Sequence, residues 1–190
     1  MRGMDQNLTL ERRDGLPDHL RVLLDALPRS GWEAHPNFNG MVQFWLQRHL
    51  MFRDVLGRLR TDSETFLDGN VDRVKHARET SRYAGFLLNE LHAHHHIEDM
   101  HYFPALVGLD ARLGEGFELL DADHQALDGH IHALAKTTNG FLHAVNQPGG
   151  RDAAGKLHTA LTGFESFIDR HLTDEEDLVV PVILKYAPKL

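Results

Sequence analysis

The chain has 190 residues, of which 42% are hydrophobic and 25% charged, and it carries a net charge of -8. These proportions suit one globular domain with a sizeable core, and the absence of cysteine excludes disulfides, thiolate zinc sites, iron–sulfur ligation and cysteine nucleophiles. No basic run offers a footprint for nucleic acid, and the longest strongly apolar stretch, Val179 to Leu184, is far short of the roughly 20 residues that cross a bilayer.

Residues 1–37 read as an N-terminal arm. The segment from Pro17 to Leu27 predicts a short helix, and Trp32 an anchor for the rest of the arm. Residues 38–190 read as the main domain. Its first helix, expected at 38–67, has the inward stripe Val42, Trp45, His49, Phe52, Leu56 and Leu59, at spacings of three and four. Asp68-Gly69-Asn70 breaks it. A second helix at 71–103 carries Leu87, Leu91, His94 and Glu98, and ends where Pro104 and the span from Gly108 to Gly116 interrupt it. The third, at 117–146, carries Phe117, Leu120, His124, Leu127, Ile131 and Leu134. Gln147-Pro148-Gly149-Gly150 is the clearest turn. The fourth, at 152–185, carries Leu161, Phe164, Ile168, His171, Glu175, Leu178 and Val182. No stretch alternates with period two for long enough to predict a strand. Short connections favour antiparallel neighbours, so the fold class is all-α, an up-down-up-down four-helix bundle with a short N-terminal extension.

Polar residues interrupt each stripe. Every one contains a histidine, out of 15 in the chain. Two of these open the same pattern, His94/Glu98 and His171/Glu175, with Pro104 and Pro181 following at equal distance. A spacing of four stacks both side chains on one helix face. The segments HHHIEDMHYFPAL and HLTDEEDLVVPVIL make the chain look like two related hairpins, and helix heights bring all four histidines to one level. Two buried glutamates among imidazoles require positive charge, since an unpaired core carboxylate costs several kcal/mol. A pair of cations meets that need. Imidazole and carboxylate ligands suit iron or manganese and exclude metals that demand thiolates. A single histidine on a helix is more often a surface or hydrogen-bonded core residue. On that ground His19, His35, His76, His92, His101, His132, His143 and His158 read as solvated or structural. His95, His96 and His130 lie near the site in sequence but off the inward stripe.

The segments around His94 and His171 resemble the His-His-Glu cation-binding motifs of the hemerythrin-like family, over about residues 38–185. The resemblance implies a four-helix bundle around a non-haem di-iron centre, with two iron ions bridged by carboxylates and an oxo or hydroxo group; manganese or zinc are possible substitutes. It implies that His49, His94, Glu98, His124 and His171 are ligands. Two departures from the oxygen-carrying members stand out. Their third helix supplies a second histidine where this chain has Asp128, which is either an anionic ligand or the partner of Arg53 in a surface ion pair. Their last carboxylate lies five residues after its histidine, which selects Glu176, whereas the internal repeat and the inward stripe select Glu175.

Three function classes are consistent with such a site. The first is a non-enzymatic di-iron protein that binds or senses O2 or a related diatomic such as NO, or handles iron. Its ligand pocket is expected to be lined by Trp45, Phe52, Leu91, Leu127, Phe164 and Ile168. The second is a di-iron oxidase or peroxidase-like enzyme, and the third a structural helical module with a vestigial metal site. Asp128 as a ligand adds negative charge that favours the ferric state. The first 30 residues hold no stripe ligand, so they are expected to be dispensable for metal binding. A polar N-terminus without a leader-like segment points to the cytoplasm, with no membrane or nucleic-acid partner and no identifiable protein partner.

Overall fold

Every residue of the four inward stripes is buried in the computed structural model, which describes residues 8–38, 40–69 and 71–189. The fold is all-α, with four long helices forming a bundle. A short helix α1 (Val22–Ala26) lies in the arm, and the long helices are α2 (Gly40–Asp68), α3 (Arg73–Ile97), α5 (Gly114–Ala144) and α6 (Gly150–Tyr186). Between α3 and α5 the chain makes a π-helical turn, Glu98–Tyr102, and the short helix α4 (Phe103–Val107). Asn39 and Asn70, within the first expected helix and the first expected turn, lie outside the described residues, as do residues 1–7 of the arm. No described helix is long and apolar enough to cross a membrane.

The second helix was expected to run unbroken to residue 103. It stops being α-helical at Ile97 because Pro104 has no N–H to donate and its ring crowds the carbonyl four residues back. A π turn carries the chain past that defect in helical form. Pro181, its counterpart in the repeat, sits inside the continuous helix α6. The turn after α2 is set by Gly69, whose φ of 93° lies in the left-handed region that ends helices. At the other turn, a Cβ on Gly150 would come within 2.8 Å of the Ala144 carbonyl oxygen, so only glycine fits.

The chain divides into two compact units. The first takes the chain up to Leu50, His94–Ala126 and the stretch from Asp169 onward. Its core includes Trp45, Phe103, Phe117, Leu120, Leu178 and Val182. Leu16, Leu20, Leu23 and Trp32 of the arm join the same core, and each such side chain contributes roughly 1.5–3 kcal/mol on burial. Trp32 is the anchor expected: its Nε1–H donates to the Leu27 carbonyl at 2.7 Å, and the Arg29 guanidinium lies 5.0 Å from its ring centre. The second unit takes Met51–Ala93 and Leu127–Ile168. There Phe66 meets Phe141 edge to face at 5.1 Å, with His76 against both, and Arg60 pairs with Glu165 at 2.9 Å. His76 and His158, the latter 3.1 Å from the Ser63 hydroxyl, are structural residues.

Asp110 ties the end of α6 to the loop before α5. It accepts from the Arg112 backbone N–H at 3.2 Å, the Arg112 guanidinium at 2.6 Å and the Tyr186 hydroxyl at 2.9 Å. The Arg112 bond and the Tyr186 hydroxyl hold its carboxyl well below the usual aspartate range against the opposing effect of burial. Asp110→Ala is expected to cost about 1–2 kcal/mol, read as a lower thermal midpoint. Because the native pKa is depressed, the contribution of the tie to stability is full above about pH 3.9 and is lost as pH falls from there through the lowered native value. An unchanged midpoint in the variant at neutral pH would show the tie to be idle.

Candidate metal centre

All four long helices bring histidines into the first unit at one place. Helix α2 supplies His49, α3 supplies His94 and His95, α5 supplies His124 and α6 supplies His171. Glu98 comes from the π turn and Glu175 from α6. Each side chain is buried, with both glutamates and both His49 and His171 at 0% exposure. They form two groups whose ligand atoms lie within 4.8 Å of one another: His49, His94, Glu98 and Glu175, and His95, His124 and His171. Each carboxylate turns one oxygen to each group. Glu98 Oε1 is 3.0 Å from His94 Nε2, and its Oε2 is 3.6 Å from His124 Nε2. Glu175 Oε1 and Oε2 lie 3.3 Å from the Nε2 atoms of His49 and His171. Clustered histidines and glutamates thus make a cation-binding site.

Hydrogen bonding within the protein leaves this cluster unsatisfied. Both Glu98 oxygens, Glu175 Oε2, the Nε2 atoms of His124 and His171 and both nitrogens of His95 are buried without a hydrogen-bond partner. So many orphaned donors and acceptors aimed at one another are costly unless a cation sits among them. Burial drives His94 down to about 3 and His95 well below the ordinary imidazole value, which keeps them in the neutral form that binds metals. Burial, then repulsion from Glu175, pushes Glu98 well above the usual carboxylate range. For Glu175 burial acts the same way, but His49, His171 and His94 outweigh it and hold the group well below that range. Burial also works against charge on His171, yet Asp123 and Glu175 raise it to about 9. The carboxylates therefore demand positive charge, which bound cations would supply while displacing protons.

The outward nitrogens tell a different story, for they are held. His49 Nδ1 lies 3.0 Å from Glu176 Oε1, His124 Nδ1 2.6 Å from Asp99 Oδ1, and His171 Nδ1 3.3 Å from Asp123 Oδ2. An imidazole bonded to a carboxylate on one nitrogen presents the other to a metal in a fixed orientation. Trp45 Nε1–H donates to Glu175 Oε1 at 2.5 Å. Phe103, His124 and His95 stack in sequence, the two histidine rings 4.3 Å apart.

The structure gathers His49, His94, Glu98, His124, His171 and Glu175, and it separates the roles of Glu175 and Glu176: the first faces the cluster, the second orients His49. It does not gather Asp128. That side chain is 55% exposed, in the second unit, 3.9 Å from the exposed His92. Helix α5 turns its Leu127 inward, and the next residue points out. The residue that sequence reading left out is His95. Adjacent positions of a helix differ by about 100°, so a wide inward arc admits both His94 and His95. The triple histidine run was the available signal. Of the apolar residues expected to line a pocket, Trp45 touches the site, while Phe52, Leu91, Leu127, Phe164 and Ile168 are buried in the second unit.

The Hemerythrin HHE cation binding domain matches the chain over residues 40–183, which takes in every residue of both groups. No curated protein and no solved structure matches it.

Alanine at Glu98 or Glu175 is expected to remove most bound metal, because each carboxylate serves both groups. His95→Ala is expected to empty one group in preference to the other. Glu176→Ala, acting only through His49, should weaken retention by about 10–100-fold without abolishing it. Metal content after dialysis ranks these variants. Equal retention by Glu98→Ala, Glu175→Ala and Glu176→Ala would reject the assignment.

Proposed function

We propose that this chain, which belongs to the hemerythrin HHE cation-binding domain family, holds two iron ions and uses them to bind or sense O2 or a related diatomic such as NO. The observation that carries this reading is the donor set: five buried imidazoles and two carboxylates, each carboxylate facing both groups. Nitrogen and oxygen donors without thiolate suit iron, with manganese or zinc as substitutes. His49 and His94 would hold one ion, His95, His124 and His171 the other, and Glu98 and Glu175 would span them. Iron held there would supply one-electron redox chemistry and an affinity for diatomics. A fifth imidazole in place of Asp128 keeps the ligand set less negative, which favours the ferrous state that diatomics seek.

The protein's own part is to fix and enclose the site. Asp99, Asp123 and Glu176 set the imidazole orientations. The Trp45 indole holds Glu175 and covers the edges of His49 and His94, with ring centres 6.4 and 6.3 Å away. Phe103 closes the face of His124. Rings packed against the ligands in this way keep bulk water away from the site. Iron handling uses the same ligands and differs in whether iron is released.

Protein purified without added metal is expected to carry two irons per chain and to show oxo-to-iron charge-transfer bands. The reduced form is expected to give a new absorption band on mixing with O2 or NO. Asp128→His and Asp128→Ala should leave these spectra and the adduct lifetime unchanged, since the side chain is exposed and away from the groups. A chain that acquires no metal and keeps its helicity under chelators would instead be a structural module. Sustained O2 consumption with a reductant would make it an oxidase.

A further inference from the structure

Two arginines of the N-terminal arm lie behind the histidine cluster. Arg13 is 7% exposed. Its Nη1 donates to Asp123 Oδ1 at 2.7 Å, its Nη2 to Asp123 Oδ2, and its Nε to Asp174 Oδ2 at 2.7 Å. Asp123 in turn lies against His171 Nδ1. Arg29 repeats the arrangement elsewhere: its Nη1 donates to Glu176 Oε2 at 2.7 Å, its Nε to Asp177 at 2.6 Å and its Nη2 to the Thr173 carbonyl at 3.0 Å. The other Glu176 oxygen lies against His49 Nδ1.

We propose that the arm is a working part of the metal centre, in which Arg13 positions His171 through Asp123 and Arg29 positions His49 through Glu176, so that arm docking and metal retention are coupled. His171 belongs to one ligand group and His49 to the other, so each arginine supports a different ion. The proposal rests on the two-ion reading of the site and extends it to residues that contact no metal.

Both links are bonds that fix geometry. Asp123 receives a two-pronged guanidinium, which holds its carboxylate plane and therefore the direction from which His171 is held. Lysine supplies charge without the fork, so Arg13→Lys would restore the charge and only part of the orientation. Arg13 is also held by the Leu8 carbonyl at 3.1 Å, and Arg170 donates to both Asp174 and the Asp14 carbonyl at 2.5 Å. The polar ties thus cluster where the arm meets α5 and α6. With Leu16, Leu20, Leu23 and Trp32 buried alongside them, the arm has the contacts to stay docked while it supports the centre. On this proposal the first 30 residues, expected to be dispensable because they hold no ligand, matter through arginines that stand one carboxylate away from one.

Coupling is reciprocal: if the docked arm strengthens metal retention, bound metal must strengthen arm docking by the same factor. The test uses the full chain as wild type, Arg13→Met, Arg13→Lys, Arg29→Ala and Arg29→Lys, with iron(II) as the probe. Helicity of each metal-free variant is measured first. The expected result is loss of iron to a chelator about 10–100-fold faster in Arg13→Met and Arg29→Ala, with the lysine variants between them and wild type. The two arginine losses are expected to perturb different halves of the iron Mössbauer spectrum, and iron loading is expected to slow proteolysis within the arm of wild type. Arg29 has a 42% exposed side chain, so its alanine variant remains informative even if Arg13→Met does not fold. Folded variants that match wild type in release rate and spectrum would overturn the proposal and leave the two-iron reading intact. A wild-type chain that takes up no iron would overturn both.

Discussion

Two fully buried carboxylates, Glu98 and Glu175, set the conditions that the rest of this structure meets. Leaving either ionised in an apolar core costs several kcal/mol, and removing the charge by protonation forfeits the bonds it could make. The helices answer by turning five imidazoles toward them. Imidazoles alone do not complete the arrangement, for several of their inward nitrogens have no hydrogen-bond partner. A centre that is polar, buried and unsatisfied by the protein's own hydrogen bonds has the make-up of a cation site. A well-packed apolar core would be easier for stability, so the polar cluster points to function rather than to folding.

Much of this was legible because helical period and ligand spacing coincide. The stripes through Val42 and Trp45, Leu87 and Leu91, Phe117 and Leu120, and Leu161 and Phe164 identify four inward faces, and a polar residue on such a face is conspicuous. His49, His94, Glu98, His124, His171 and Glu175 all stand out by that test. His95 does not, because a stripe drawn through positions three and four apart is narrower than the arc a bundle buries. Asp128 shows the opposite error: its spacing from His124 matches that of Glu98 from His94, but spacing fixes a face only to within a broad sector. The π turn at Glu98–Tyr102 was not legible either, since Pro104 and Pro181 occupy like positions in the repeat and only one of them breaks its helix. What surrounds each proline decides that, and the repeat does not encode it.

The arm was illegible for a different reason. Arg13 and Arg29 look like ordinary surface arginines until the fold shows what they touch, and their partners stand far along the chain. Local pattern carries no information about such pairings. The apolar part of the arm was more readable, with Trp32 as an isolated large side chain in a polar stretch. Hydrophobic docking and charge pairing then act together: the buried leucines keep the arm in place, and placement lets a guanidinium reach carboxylates that are themselves buried.

The supporting carboxylates follow a rule of adjacency. Asp99 follows Glu98, Asp123 precedes His124, and Glu176 follows Glu175. A residue next to a ligand is rotated by about 100°, so its side chain leaves the centre and meets the neighbouring helix. There it finds the outward nitrogen of that helix's own ligand. Asp99, after α3, holds His124 of α5; Asp123 of α5 holds His171 of α6; Glu176 of α6 holds His49 of α2. Three ligands, His49, His124 and His171, are thereby aimed from neighbouring helices or turns rather than from their own. Such a chain of supports has a mechanical consequence. A slip or rotation of α5 or α6 disturbs both its own ligand and its neighbour's, so these three orientations are held or lost together. Anchoring the chain of supports at Asp123 and Glu176 from outside, as the two arginines do, fastens it at two of its three joints.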